Sequence, residues 1–266
     1  MSLASFQRAL SDLTASPARC REFRSAPDEF LRAYDLSRHE QQRLSGLLHQ
    51  RGLATQCGLY RANRITPVYT LLPLTCVALG DSLKVEVEGF WANCEDTDLQ
   101  FKQEISRFAA FLKARIQKRV VTNPFVEEVL DFELAANTLR FLPRQRIKLE
   151  FERADSAGLN SRISLHPLLR TVAFRHNPSA LLKCLNALQG PPDDLLEGEF
   201  YLLLDATSDE LVVKQINPIL GRLLAAIECG AAVSLPTDDL QILIDGGFVI
   251  VTNQPWSEPC LSLGLI

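Results

Sequence analysis

Apolar residues recur at helical spacing throughout the first half of the chain. Leu3, Phe6, Leu10 and Leu13 mark one such face. Ser16-Pro17 and Ala26-Pro27 each place a proline where a helix would open, a position at which its missing N–H costs nothing. Phe30, Leu31 and Tyr34 follow the second of these. Ser37 and Glu40 have the spacing of a capping box, Leu44, Leu47 and Leu48 supply the next stripe, and Gly52 stands where a left-handed cap would close it. The more apolar run from Ala54 to Leu79 predicts two helices bent at Pro67 or Pro73. Leu83 to Trp91 is ambiguous: Val85 and Val87 alternate as in a strand, whereas the surroundings are helical. Phe101, Ile105, Phe108, Leu112 and Ile116 define a long amphipathic helix between Thr97 and Arg119. Asn123-Pro124 opens another, through Val126, Leu130 and Leu134 to about Leu142, and Pro143 ends it.

Beyond Pro143 the pattern changes. Arg146 to Glu152 alternates like a strand, Asp155 to Ser161 reads as a loop, and Thr171 to Phe174 as a short strand. Pro178 opens a helix with Leu181, Leu182, Leu185 and Leu188, stopped by Gly190-Pro191-Pro192. Glu199 to Leu204 and Leu211 to Ile216, flanking a turn around Asp205 to Asp209, form the clearest hairpin. Asn217-Pro218 starts a helix through Leu220, Leu223, Leu224 and Ile227, closed by Gly230. A last helix, from about Pro236 to Ile244, ends at Gly246-Gly247, and Phe248 to Val251 reads as a strand. The predicted fold class is α+β: an all-helical domain over residues 1–143, then a small domain of hairpin plus helices over 144–266.

Composition narrows the function. At 266 residues, 47% hydrophobic and 23% charged, the chain has the balance of a globular protein. No apolar run approaches the roughly 20 residues of a membrane span; the longest, Val68 to Leu79, is broken by Pro73. The opening MSLASFQRALSDL carries charges inside its apolar pattern, unlike a signal peptide. Seven scattered cysteines predict reduced, mostly buried thiols in a cytoplasmic protein. The net charge of −4 argues against nucleic acid, and Lys113, Arg115, Lys118 and Arg119, on a helix that also carries Glu104, read as a solvated face.

Catalytic groupings are missing. His39, His49, His166 and His176 stand singly, without the spacing that converges ligands on a metal, and read as surface or capping residues. There is no glycine-rich phosphate loop and no nucleophile elbow. Cys20, beside Arg19, Arg21 and Arg24, has the electropositive setting of a reactive thiol but no adjacent histidine. Glu127-Glu128 and Asp193-Asp194 sit at helix starts or turns, where carboxylates favour the positive helix end. The expectation is a protein with no catalytic residues, no metal site and no cofactor of its own.

A hairpin flanked by helices leaves a strand edge that a protein either hides or uses to accept an extended peptide. Leu211, Val212, Val213, Lys214, Gln215 and Ile216 form such a strand. Leu240, Leu243 and Ile244 of the last helix would line an apolar groove beside it. A hairpin covered internally and merely structural fits the same pattern.

The run EFYLLLDATSDELVVKQINPILGRLLAAIECG, with SLPTDDLQILIDGGFVIV after it, resembles the PqqD-like winged helix that serves as a recognition element for ribosomally made, modified peptides. Asn217, Leu223, Leu224, Gly230, Leu240, Ile244, Gly247 and Phe248 carry the likeness, although the middle helix of the usual three is short or absent between Ala231 and Pro236. The resemblance implies that residues 211–216 and 240–244 hold the leader of a precursor peptide. RISLHPLLRTVAFRHNPSALL is similar to a stretch in partner proteins of multinuclear non-haem iron oxygenases. The first helices resemble the small helical subunit of ring-opening extradiol dioxygenases, which contributes no iron ligands. Together these likenesses imply a heterodimer with an iron oxygenase, iron residing in that enzyme, as in thiaglutamate biosynthesis, where the β-carbon of a cysteine at a carrier peptide's C-terminus is excised. The helical half would dock on the enzyme, with Tyr60, Phe90 and Trp91 as anchors or as core. The alternative is an accessory subunit of an aromatic ring-cleaving dioxygenase. A DNA-binding winged helix is disfavoured by Asp238, Asp239 and Asp245 on the last helix.

Overall fold

The structure is a computed structural model and describes residues 3–15, 17–47, 50–94, 101–143, 147, 162–191, 195–231 and 237–252. The fold is α+β. Helices α1 (Leu3–Ala15), α2 (Pro17–Ser25), α3 (Pro27–Arg32), α4 (Arg38–Leu47), α5 (Arg51–Leu71), α6 (Pro73–Leu79), α7 (Leu83–Asn93), α8 (Phe101–Gln117) and α9 (Phe125–Arg140) come first. Then follow β1 (Arg162–Leu165), β2 (Leu169–His176), α10 (Pro178–Asn186), β3 (Glu197–Asp205), β4 (Val212–Ile216), α11 (Pro218–Glu228), α12 (Thr237–Asp245) and β5 (Val249–Thr252). Among the described residues no single helix is long and apolar enough to cross a membrane.

Contacts divide the chain into two units: residues 1–71 with 81–120, and residues 72–80 with 121–266. The division does not fall at residue 143. Helices α6 and α9 cluster with the strands because α9 packs on both α6 and β2.

The first unit is helical. Ala9, Leu13, Phe23, Phe30, Leu31 and Leu44 form one buried cluster, in which Phe23 and Phe30 pack ring to ring. The capping box closes as predicted: the Ser37 N–H donates to Glu40 Oε2 at 2.8 Å, and the Glu40 N–H donates to Ser37 Oγ at 3.3 Å. Gly52 lies inside the first turn of α5 rather than at the end of α4. Pro67 is carried within α5, and the break comes at Leu72-Pro73. Leu83–Asn93 is helical, with Leu83, Val87 and Phe90 buried on one face. A strand's alternation is overridden there by packing of α7 on α8. Glu104 is not on a solvated face: it is buried, and Arg64 Nε donates to its Oε1 at 2.9 Å. Arg115 pairs with Glu86. Phe90 is core, whereas Trp91 and Tyr60 are half-buried.

The second unit holds two antiparallel sheets, one of β2, β3 and β4 in that order and one of β1 with β5. Strand β1 had no signal in the sequence pattern. Of the strand predicted over 146–152 only Ile147 is described, and its N–H bonds back to the Pro143 carbonyl as in a helical turn. Residues 155–161 and Asp193-Asp194 lie outside the described residues. Helices α11 and α12 end in the same way. At the first, the Gly230 N–H reaches the Ile227 carbonyl and the Ala231 N–H that of Ala226; at the second, Gly247 and Phe248 reach Ile244 and Leu243. Gly230 and Gly247 supply the left-handed conformation, at φ 71° and 70°, that both ends require.

Candidate peptide-binding edge

The sheet's cross-strand register fixes which way each strand of the hairpin points. Tyr201, Leu202, Leu203, Leu204 and Asp205 of β3 stand opposite Ile216, Gln215, Lys214, Val213 and Val212 of β4. On the far side Leu203 stands opposite Thr171 of β2. The Thr171 N–H donates to Glu228 Oε2 at 3.0 Å, away from β3. Leu203 therefore turns its own N–H and C=O away from β2 and toward Lys214. The Ala206 N–H, bonded to the Leu168 carbonyl at 2.9 Å, gives the same parity. Alternation then aims Val212, Lys214 and Ile216 at β3, and leaves the peptide groups of Val213 and Gln215 pointing outward from β4. Nothing among the described residues bonds those outward groups.

Side chains alternate on the same register. Val212, Lys214 and Ile216 share a face with Leu203, and Val213 and Gln215 share the opposite face with Leu204 and Leu202. Leu211, just before β4, and Val212 are half-buried; Val213 is 39% exposed, and Lys214 and Gln215 are exposed. Ile216 packs on an apolar cluster of Leu165, Leu169, Leu203, Leu224, Ile227, Leu243 and Val249. Leu240 and Ile244 pack partly buried against that cluster, and Leu243 belongs to it. Of the predicted residues, the structure thus brings Ile216, Leu240, Leu243 and Ile244 to one apolar cluster, and places Leu211 to Gln215 outside it. Leu243 has its side chain inside the core, and Ile242, 66% exposed, is the apolar residue that α12 presents outward.

Helix α11 lies close over this face. A Cβ at Gly221 would sit 2.1 Å from the Tyr201 ring, so only glycine permits the approach. Asn217 caps α11, accepting the Ile219 N–H at 2.8 Å.

The other edge of the sheet is built differently. Glu228, the last residue of α11, accepts the Thr171 N–H and lies 3.6 Å from Arg170 Nε. Glu128 of α9 accepts the N–H groups of Arg175, at 2.7 Å, and His176, at 3.3 Å. Its other oxygen meets His176 Nδ1, and the Phe125 ring packs edge-on against that imidazole. His176 is accordingly buried against the Glu128 carboxylate, not a surface histidine. His166 is half-buried, its pKa lowered by desolvation, and its Nδ1 accepts the Leu168 N–H at 3.1 Å. Glu127-Glu128 signalled a helix start in the sequence; nothing in the sequence pairs Glu128 with a strand 47 residues away.

Glu133, further along α9, accepts the Leu74 and Thr75 N–H groups at 2.7 and 2.8 Å and so caps α6. Burial outweighs those bonds and raises its pKa to about 7. Burial also pushes the Cys76 thiol up to about 12. Of the five described cysteines with placed side chains Cys76 alone is buried, and Cys229 is exposed, so the thiols are less buried than expected.

Among the described residues no group of histidine, cysteine and carboxylate side chains is arranged to hold a metal ion. A scan of protein-family models and a search of curated proteins return no match to this chain.

Proposed function

We propose that this chain is a non-catalytic partner protein that receives an extended peptide as an added strand on β4. The observation that carries the reading is the outward-facing pair of peptide units at Val213 and Gln215, on a sheet whose opposite edge is capped at Thr171 and Arg175 by Glu228 and Glu128. An added strand satisfies such groups with main-chain bonds, and alternate side chains supply selectivity.

The winged-helix resemblance supplies the occupant, the leader of a ribosomally made precursor peptide. Three local features support it: an antiparallel sheet ending in β4, a helix opened by Asn217 directly afterwards, and a last helix closed by Gly247 before an apolar strand. The insertion of α10 between β2 and β3, and the pairing of β5 with β1, are this chain's additions to that pattern.

The enzymatic partner is a multinuclear non-haem iron oxygenase, bound as a heterodimer through the helical unit and carrying the iron. The reaction assigned to the pair is excision of the β-carbon of a C-terminal cysteine in thiaglutamate biosynthesis. This chain's contribution is tethering. Holding the leader makes attack on its remote end nearly intramolecular, at an effective concentration set by the intervening peptide.

The test is fluorescence anisotropy of the full chain with labelled peptides encoded beside its gene. Saturable binding lost on deleting the leader, and lost again in Val213→Pro, is the expected result, with co-purification of the oxygenase retained. Unchanged affinity in folded Val213→Pro overturns strand addition. No binding at all shifts the reading to an accessory subunit of a ring-cleaving dioxygenase.

A further inference from the structure

We infer that Lys214 selects the peptide: the segment added to β4 carries an acidic residue opposite Lys214, flanked two positions away on each side by apolar residues. The inference rests on the strand-addition reading and specifies its ligand.

Lys214 occupies the centre of β4 and shares the face of Leu203, a residue of the apolar cluster. It is exposed, and no carboxylate among the described residues pairs with it. By contrast Arg222 and Arg170 of the same domain are already engaged, with Glu199 and Glu228. Two residues from Lys214 on either side stand Val212 and Ile216, half-buried, and Ile216 joins Leu240 and Ile244 against the same cluster. An incoming strand has a side-chain period of two. Its alternate residues on this face would meet, in turn, an apolar position, a lone ammonium and an apolar position. Opposite charges directly across a pair of strands attract, and like charges repel.

The same lysine argues against a second copy as the occupant. Antiparallel pairing of β4 with itself at greatest overlap places Lys214 opposite Lys214, a device by which edge strands avoid self-association. A short peptide with a carboxylate at that position reverses the sign.

The experiment places glutamate, glutamine or lysine in turn at each position of a bound leader peptide and measures affinity for the full chain at low salt. One position is expected to prefer glutamate over lysine by about fivefold, with apolar residues favoured two positions away. In Lys214→Glu the preference at that position reverses to lysine; both preferences shrink as salt is raised. Peptide binding that depends on Val213 while Lys214→Glu leaves the charge preference unchanged overturns this inference and leaves strand addition standing. Peptide binding insensitive to Val213→Pro overturns both. A dimer seen by sedimentation and lost in Val213→Pro makes a second copy the occupant, which also overturns it.

Discussion

Strands β2 and β4 border the same three-stranded sheet, and each turns alternate N–H groups away from their shared neighbour β3. On β2 three donors end on carboxylates, Glu228 for Thr171 and Glu128 for Arg175 and His176, while the N–H of Ala173 between them meets no partner among the described residues. On β4 the donors of Val213 and Gln215 meet no partner among the described residues. A carboxylate has several lone-pair sites, so one side chain accepts from both Arg175 and His176 at the irregular end of β2. The difference is one of degree: the same domain caps most donors of one edge with side chains from two helices and leaves a lysine on the other.

The comparison breaks most sharply at Glu128. Glu128→Ala leaves the part-buried Arg175 N–H and the buried His176 N–H and side chain without their acceptor, and a loss of about 3 kcal/mol is expected in chemical denaturation. Stability unchanged within experimental error would show that the β2 edge does not depend on it.

Glu133 gives a related test through pH. It caps α6 as Glu128 caps β2, but its folded pKa is raised to about 7, from a value near 4.5 when exposed. A raised carboxyl pKa means that the folded state binds the proton more tightly. Its contribution is therefore fully present below about pH 4.5 and is lost as pH rises through about 7, on the order of a few kcal/mol. Glu133→Gln should flatten that part of the stability profile; an unaltered profile would assign the dependence to other groups.

Proline substitution on β4 tests the inferred direction of its peptide groups. Lys214→Pro removes an N–H directed at Leu203 and should cost about 2 kcal/mol or more, whereas Val213→Pro removes an outward donor and should cost about 1 kcal/mol or less. Equal costs in thermal unfolding would mean that the parity is wrong. The smallest effect belongs to Glu228→Gln, where the amide oxygen can still accept from Thr171 but the ion pair with Arg170 is lost. About 0.5 kcal/mol is expected at that partly exposed position.

Much of the fold was legible in local sequence. Helix ends announced themselves through Ser37 and Glu40, through Asn217-Pro218, and through Gly230 and Gly247, because caps are made by residues within a turn of one another. The hairpin was legible for the same reason, its register following from a short connection. Of the residues named from sequence, Val212 to Ile216 form β4, an edge strand among the described residues, Leu211 precedes it, and the α12 residues named with them meet Ile216 in one apolar cluster.

Other features depend on pairings that no local pattern encodes. Strand β1 is a strand through its ladder with β5, more than 80 residues away in the chain, as Ile163 opposite Val251 shows. Helix α7 resolves as a helix because Phe90 packs on Phe108. The sequence by itself determined where many helices start and stop, that a hairpin follows the helical half, and that its second strand is apolar and β-branched. Tertiary structure alone decided that Glu128 and Glu228 cap donors of the β2 edge, that Val213 and Gln215 face outward, and that Leu243 belongs to the core. Capping those donors requires side chains from helices distant in sequence, and only the folded chain brings them to the strand.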